Sequence, residues 1–122
     1  MTFAYWVVVF LMFLPLIWVG IAKANGTGYD NSRPREWLAH LHGAAQRANW
    51  AQQNAYEAFP PFAAAVIIAH LTGAPQIAVD IIAGVFLVAR IAHGILYILD
   101  KAMLRSLVWL LGFGCTIALF IV

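Results

Sequence analysis

The residues whose types could do chemistry fall on two helical stripes, the first between positions 40 and 61. On a helical wheel His40, Gly43, Arg47, Trp50, Asn54, Glu57 and Pro61 fall within an arc of roughly 100°. Farther along, Arg90, His93, Tyr97 and Asp100 share an arc of roughly 80°. Each set is a polar stripe in an otherwise greasy sequence. Ionisable groups at membrane depth cost several kcal/mol unless they are paired or hydrated. The stripes are therefore expected to face each other across a water-accessible interface. Glu57 and Arg90 would be the opposite charges, and Asn54 and Tyr97 the hydrogen-bonding partners. Spacing alone leaves two readings open, polar glue between helices or a ligand site. Arg47, His93 and Arg105 exceed what one ion pair needs, which points toward an anionic ligand.

The elements that position these residues follow from composition. The chain has 122 residues, of which 64% are hydrophobic and 10% charged. A domain this small cannot bury so much apolar surface in its own core, so lipid must solvate most of it. The expected architecture is an all-α membrane protein, a single domain of four transmembrane helices over about 3–23, 35–71, 76–99 and 104–122. No basic residue precedes the first apolar run and that run is long enough to span, so no cleavable leader is expected. The second helix is amphipathic and polar at first, continuously apolar only from Phe59 to Leu71, and Pro60-Pro61 should kink it. Ser32 followed by Pro34 marks its start. Leu71-Thr-Gly-Ala-Pro75 reads as a tight turn and Asp100–Met103 as a very short connection.

The loops after the first and third spans, with their flanks, hold Lys23, Arg33, Arg35, Lys101 and Arg105, whereas the turn between the second and third spans has no Lys or Arg. The positive-inside rule then puts both termini on the non-cytoplasmic side. A net charge of +2 without a long basic run gives no case for nucleic acid. The single cysteine, Cys115, lies in a wholly apolar span and reads as core filler. His40 and His42 face different sides of a helix and have no carboxylate or thiolate at ligand spacing, so no metal site is expected. His70 should face headgroups, Asp80 should be solvated near the end of its span, and Trp37 and Trp109 suit interfacial belts.

Three short patterns, in order along the chain, resemble one family. Asn54-Ala-Tyr-Glu57-Ala-Phe-Pro60, Arg90-Ile-Ala-His93-Gly-Ile-Leu-Tyr97 and Arg105-Ser106 are similar to segments of the membrane-associated proteins in eicosanoid and glutathione metabolism, the MAPEG family of microsomal glutathione transferases and prostaglandin E synthase-like enzymes. The resemblance implies a homotrimer with glutathione bound between subunits near the cytoplasmic side. It implies that Asn54 and Glu57 hold the γ-glutamyl end, with Glu57 meeting the ammonium. Arg90, His93 and Tyr97 would hold carboxylates and backbone of the tripeptide, with Gln52 and Lys23 reaching in from an adjacent subunit. Arg105 would sit at the thiol, with Ser106 second in that role. Trp50 stands where many members carry an Arg, so that a carboxylate contact is missing or Arg47 replaces it from one turn earlier.

The implied activity is a membrane-bound glutathione transferase, or glutathione peroxidase, acting on a lipophilic electrophile that arrives from the lipid. A non-catalytic lipid-binding scaffold of the same fold is the alternative. A transporter is disfavoured because paired broken helices and an internal repeat are missing. The host membrane would be the inner membrane of a bacterium or an endoplasmic-reticulum-type membrane of a eukaryote.

Overall fold

The computed structural model describes residues 1–122, and its regular structure is entirely helical: α1 (Phe3–Ala24), α2 (Pro34–Ala39), α3 (Gly43–Leu71), α4 (Gln76–Ile98) and α5 (Ala102–Ile121). Helices α3 and α4 pack side by side, with α1 lying against both and α5 against both from another side. Three of the helices, α1, α4 and α5, are long and apolar enough to cross a membrane. At 1.5 Å per residue each is about 30 Å or slightly more, the thickness of a hydrocarbon core. Outward-facing side chains such as Phe10, Val88 and Leu110 are mostly exposed, as a lipid-solvated surface requires.

The core is built for close approach. Val7, Leu11, Leu14 and Trp18 of α1 recur at helical spacing and meet Ala51, Ala55, Ala65 and Ala69 of α3. Small residues let backbones come together where lipid supplies no hydrophobic drive for association. Phe62 of α3 and Phe86 of α4 stack with centroids 3.9 Å apart, and Cys115 is buried in the same cluster. Gly94 lets α4 touch α1, because a Cβ there would overlap the Trp18 indole.

The single helix expected over 35–71 is broken. Helix α2 stops at Ala39, and α3 restarts at Gly43, whose φ of +59° suits glycine. The amides of His40 and Leu41 bond back to Trp37 and Leu38, and the Gln46 side chain donates to the Ala39 carbonyl at 3.2 Å. The terminal carbonyls of α2 are satisfied without helical continuation. At the other end α3 remains helical through Pro60 and Pro61.

Two polar residues have tighter roles than expected. Asp80 is not left to solvent: its Oδ1 accepts from the Ala4 amide at 2.9 Å and from Gln76 Nε2 at 2.7 Å. A carboxylate from α4 thus sits at the N-terminus of α1, where free amides and the helix dipole favour negative charge. His70 does not face headgroups alone. It stacks on Tyr5 at 4.2 Å, and its ring nitrogens meet the Val66 carbonyl and Thr2 Oγ1. Trp37 likewise clamps the 25–33 loop, donating to the Thr27 carbonyl at 3.0 Å and meeting Tyr29 edge-on.

Candidate functional site

The turn from α4 to α5 sets the position of the two most chemical residues near the loop side. Leu99 caps α4 and Asp100 takes a left-handed conformation, φ +61°. The Lys101 amide bonds to the Leu96 carbonyl at 2.9 Å and the Asp100 amide to Tyr97 at 3.1 Å. This pair of bonds is a Schellman motif, which reverses the chain within a few residues. Arg47 of α3 donates from Nε to the Ile98 carbonyl at 3.0 Å, satisfying another terminal carbonyl of α4. The reversal carries Arg105 back over Tyr97, with its guanidinium carbon 4.3 Å from the ring centre. That is cation–π distance.

Arg90 is 4% exposed and donates from Nη2 to Asn54 Oδ1 at 2.6 Å. The expected Arg90–Glu57 ion pair does not form, and the only ion pair in the chain joins Arg33 to Glu36, 3.8 Å apart. Asn54, one turn earlier on α3, takes the guanidinium, while Glu57 stays exposed on the same face. One bond leaves the remaining N–H donors of Arg90 uncommitted. His93, 3% exposed, carries a buried Nδ1 with no hydrogen-bond partner, and its ring meets Tyr97 edge-on at 5.7 Å.

These groups share three adjoining depressions. A cavity of about 160 Å³ is lined by Asn54, Glu57, Arg90 and the aromatic rings of Phe86, Trp109 and Phe113. An open groove beside it is lined by Trp50, Gln53, Asn54, Glu57 and Tyr97. A second open groove is lined by Asn54, His93, Tyr97, Arg105, Ser106 and Trp109. Asn54 borders all three. Of the residues singled out in sequence, Asn54, Glu57, Arg90, His93, Tyr97, Arg105 and Ser106 therefore meet on one face of α3, α4 and α5.

Arg47, Gln52 and Lys23 do not line these depressions. Arg47 caps α4, Gln52 donates to Asn49 at 3.1 Å, and the Lys23 ammonium lies 4.4 Å above the Tyr29 ring. Trp109, Phe113 and Thr116 border the site without having been singled out for it. Their signal was a wheel begun at Arg105, on which positions 105, 109, 113 and 116 share one side of α5.

The donor set suits a small anionic or zwitterionic ligand. Guanidinium, imidazole, phenol, amide and hydroxyl groups can meet carboxylates and a thiolate, and the exposed Glu57 carboxylate can meet an ammonium. The orphaned His93 Nδ1 is a buried polar atom that a ligand group or water entering the groove would satisfy.

Apolar helices of spanning length around a polar crevice define an integral membrane protein. The chain belongs to the MAPEG family, whose model matches residues 1–122, the entire sequence. No match was found among curated proteins or among solved structures. Membership supports a membrane-bound, glutathione-related function of transferase or isomerase type in general, since the family includes glutathione transferases and its members use glutathione as cosubstrate.

Proposed function

We propose that the protein is a glutathione transferase that activates the glutathione thiolate against lipophilic electrophiles, with reduction of lipid hydroperoxides a further outlet for the same thiolate. The observation that carries this reading is the placement of Arg105 over Tyr97 in the groove that also holds Ser106, His93 and Asn54. A free thiol has a pKa near 8.5, and an adjacent guanidinium favours the thiolate, the reactive form. Arginine keeps its own proton even in a poorly solvated site. Glutathione would supply the nucleophilic sulfur. Asn54 and Glu57 would hold its γ-glutamyl end, Arg90, His93 and Tyr97 its carboxylates and backbone, and Ser106 would donate a hydrogen bond to the sulfur.

In this reading α3 is the fourth membrane-crossing helix, its 29 residues reaching about 44 Å. Its polar half would be shielded within a homotrimer, where Gln52 and Lys23 of one subunit would lie near the site of the next. Both termini would be non-cytoplasmic.

The test is the ultraviolet absorbance of glutathione thiolate on titrating purified protein, alongside conjugation of a generic electrophile. Arg105→Ala should abolish the thiolate signal and lower turnover on the order of 100-fold, the scale of removing one charge-stabilising donor. A wild-type protein giving neither thiolate nor conjugate would leave the lipid-binding scaffold, in which Trp50 makes the groove less cationic.

A further inference from the structure

Beyond Arg105, α5 presents an aromatic wall to which the transferase reading assigns no role. Trp109 and Phe113 lie parallel, their ring centroids 5.3 Å apart and their planes within 6°. Trp109 borders both the Arg105 groove and the 160 Å³ cavity, so the two spaces join along its ring. Trp109 lies one helical turn, about 6 Å, along α5 from Arg105, and Phe113 a further turn.

The cavity is divided by chemistry. One side is polar, formed by Asn54, Glu57 and Arg90. Its other side is apolar: Phe86 is 2% exposed and fixed by its stack on Phe62, Trp109 and Phe113 add their rings, and the Thr116 hydroxyl is spent on the Gly112 carbonyl at 3.4 Å. A side chain on Gly112 would take up part of this space, its Cβ standing in ordinary contact 3.7 Å from the Phe86 ring and 3.8 Å from Arg90 Cδ. A cavity of about 150 Å³ with apolar walls accommodates a benzene ring, and rings favour offset or edge contacts with aromatic walls. The surface suited to a long acyl chain lies elsewhere, in an open aliphatic groove lined by Ile81, Val85, Val88, Val108 and Leu111.

We infer that this cavity is the electrophile subsite and that it selects substrates whose apolar end is a single aromatic ring. The inference rests on the transferase reading for its chemistry, but the cavity binds the ring with or without glutathione. With an aryl-tailed enone, the ring occupies the space walled by Phe86, Trp109 and Phe113, and the electrophilic carbon reaches back toward Arg105. The thiolate sulfur forms a bond to the β-carbon, the C=C π pair shifts into the bond between the α-carbon and the carbonyl carbon as the C=O π pair moves onto oxygen, and the enolate takes a proton from water at the α-carbon, the hydroxide left being neutralised by the proton the thiol shed.

Two measurements on the full chain in lipid nanodiscs test this. Fluorine NMR should show saturable binding of a 4-fluorobenzyl ether beyond its partition into empty nanodiscs, weakened at least tenfold in Gly112→Val, whose side chain takes up space beside Phe86. Thermal unfolding of Gly112→Val confirms that it is folded, and the milder Gly112→Ala should weaken binding to a lesser degree. With glutathione present, kcat/KM should favour a phenyl-tailed enone over an octyl-tailed one at least tenfold, and Gly112→Val should erase that preference while the thiolate absorbance persists. Non-saturable binding, binding indifferent to both Gly112 variants, or a preference for the octyl tail overturns the inference. Absence of thiolate in wild type would overturn the transferase reading alone, because the NMR arm still reports on the cavity.

Discussion

The guanidinium of Arg105 rests on the face of Tyr97, 4.3 Å from the ring centre, although the two residues belong to different helices. Tyr97 is thus a positioning residue for the group proposed to hold the thiolate, in addition to any contact its hydroxyl makes. The two roles separate by substitution. Tyr97→Phe keeps the ring and should leave the thiolate absorbance intact, raising only KM for glutathione. Tyr97→Leu removes the π face, a contact of about 0.5–2 kcal/mol, and should lower kcat/KM roughly 2- to 30-fold with a weaker thiolate signal. Equal loss in both variants would show that the hydroxyl, not the ring, matters.

Gly94 offers a sharper structural test. Replacing it with Ala gains about 1 kcal/mol of helix propensity, but the new methyl overlaps the buried Trp18 indole. Overpacking of this kind costs about 1–3 kcal/mol, and the rigid indole has no flexible end to yield. Gly94→Ala should therefore lower the thermal midpoint in detergent.

Asp100 predicts the opposite sign. It is the only non-glycine residue at positive φ, and its left-handed backbone belongs to the Schellman turn. Asp100→Gly should relieve strain and stabilise the chain by about 0.5–1 kcal/mol, visible as a raised midpoint with activity unchanged.

The 25–33 loop carries a pH signature. Ser32 donates both its hydroxyl, at 2.6 Å, and its amide, at 2.9 Å, to Asp30 Oδ1. The side-chain bond first, then the backbone bond, holds the Asp30 carboxyl below its usual pKa. A lowered folded-state value stabilises the loop above the unfolded-state pKa, and that contribution fades as pH falls through the folded-state value. Ser32→Ala should move the Asp30 titration upward in an NMR pH series. The effect on global stability should be small, because the group is fully exposed.

The apolar runs made three helices readable in advance, because lipid solvation leaves a signal in every residue of a span. The polar stripes were readable too, since 100° per residue brings Asn54 and Glu57 to one side and Arg90, His93 and Tyr97 to another. What could not be read was long-range pairing. Nothing local says that Arg90 reaches Asn54 rather than Glu57, or that Asp80 finds the Ala4 amide across 76 positions. The break before α3 was obscured because His40-Leu41-His42 continues the amphipathic pattern, and only Gly43 hinted at a turn. Trp109 was assigned to a belt because Trp is common there. Its place on the Arg105 side of α5 emerges only when the wheel is started from that arginine.

The side-chain amides near the α2–α3 break run in a fixed order. Gln46 donates to the Ala39 carbonyl, Asn49 donates to Gln46 Oε1, and Gln52 donates to Asn49 Oδ1. A backbone carbonyl can only accept, so the first link cannot be reversed, and each amide dictates the orientation of the next. Three residues that elsewhere would flip freely are locked into one polarity. The Gln52 oxygen receives nothing from this sequence of bonds, so any group that completes it from a neighbouring molecule must bring a proton.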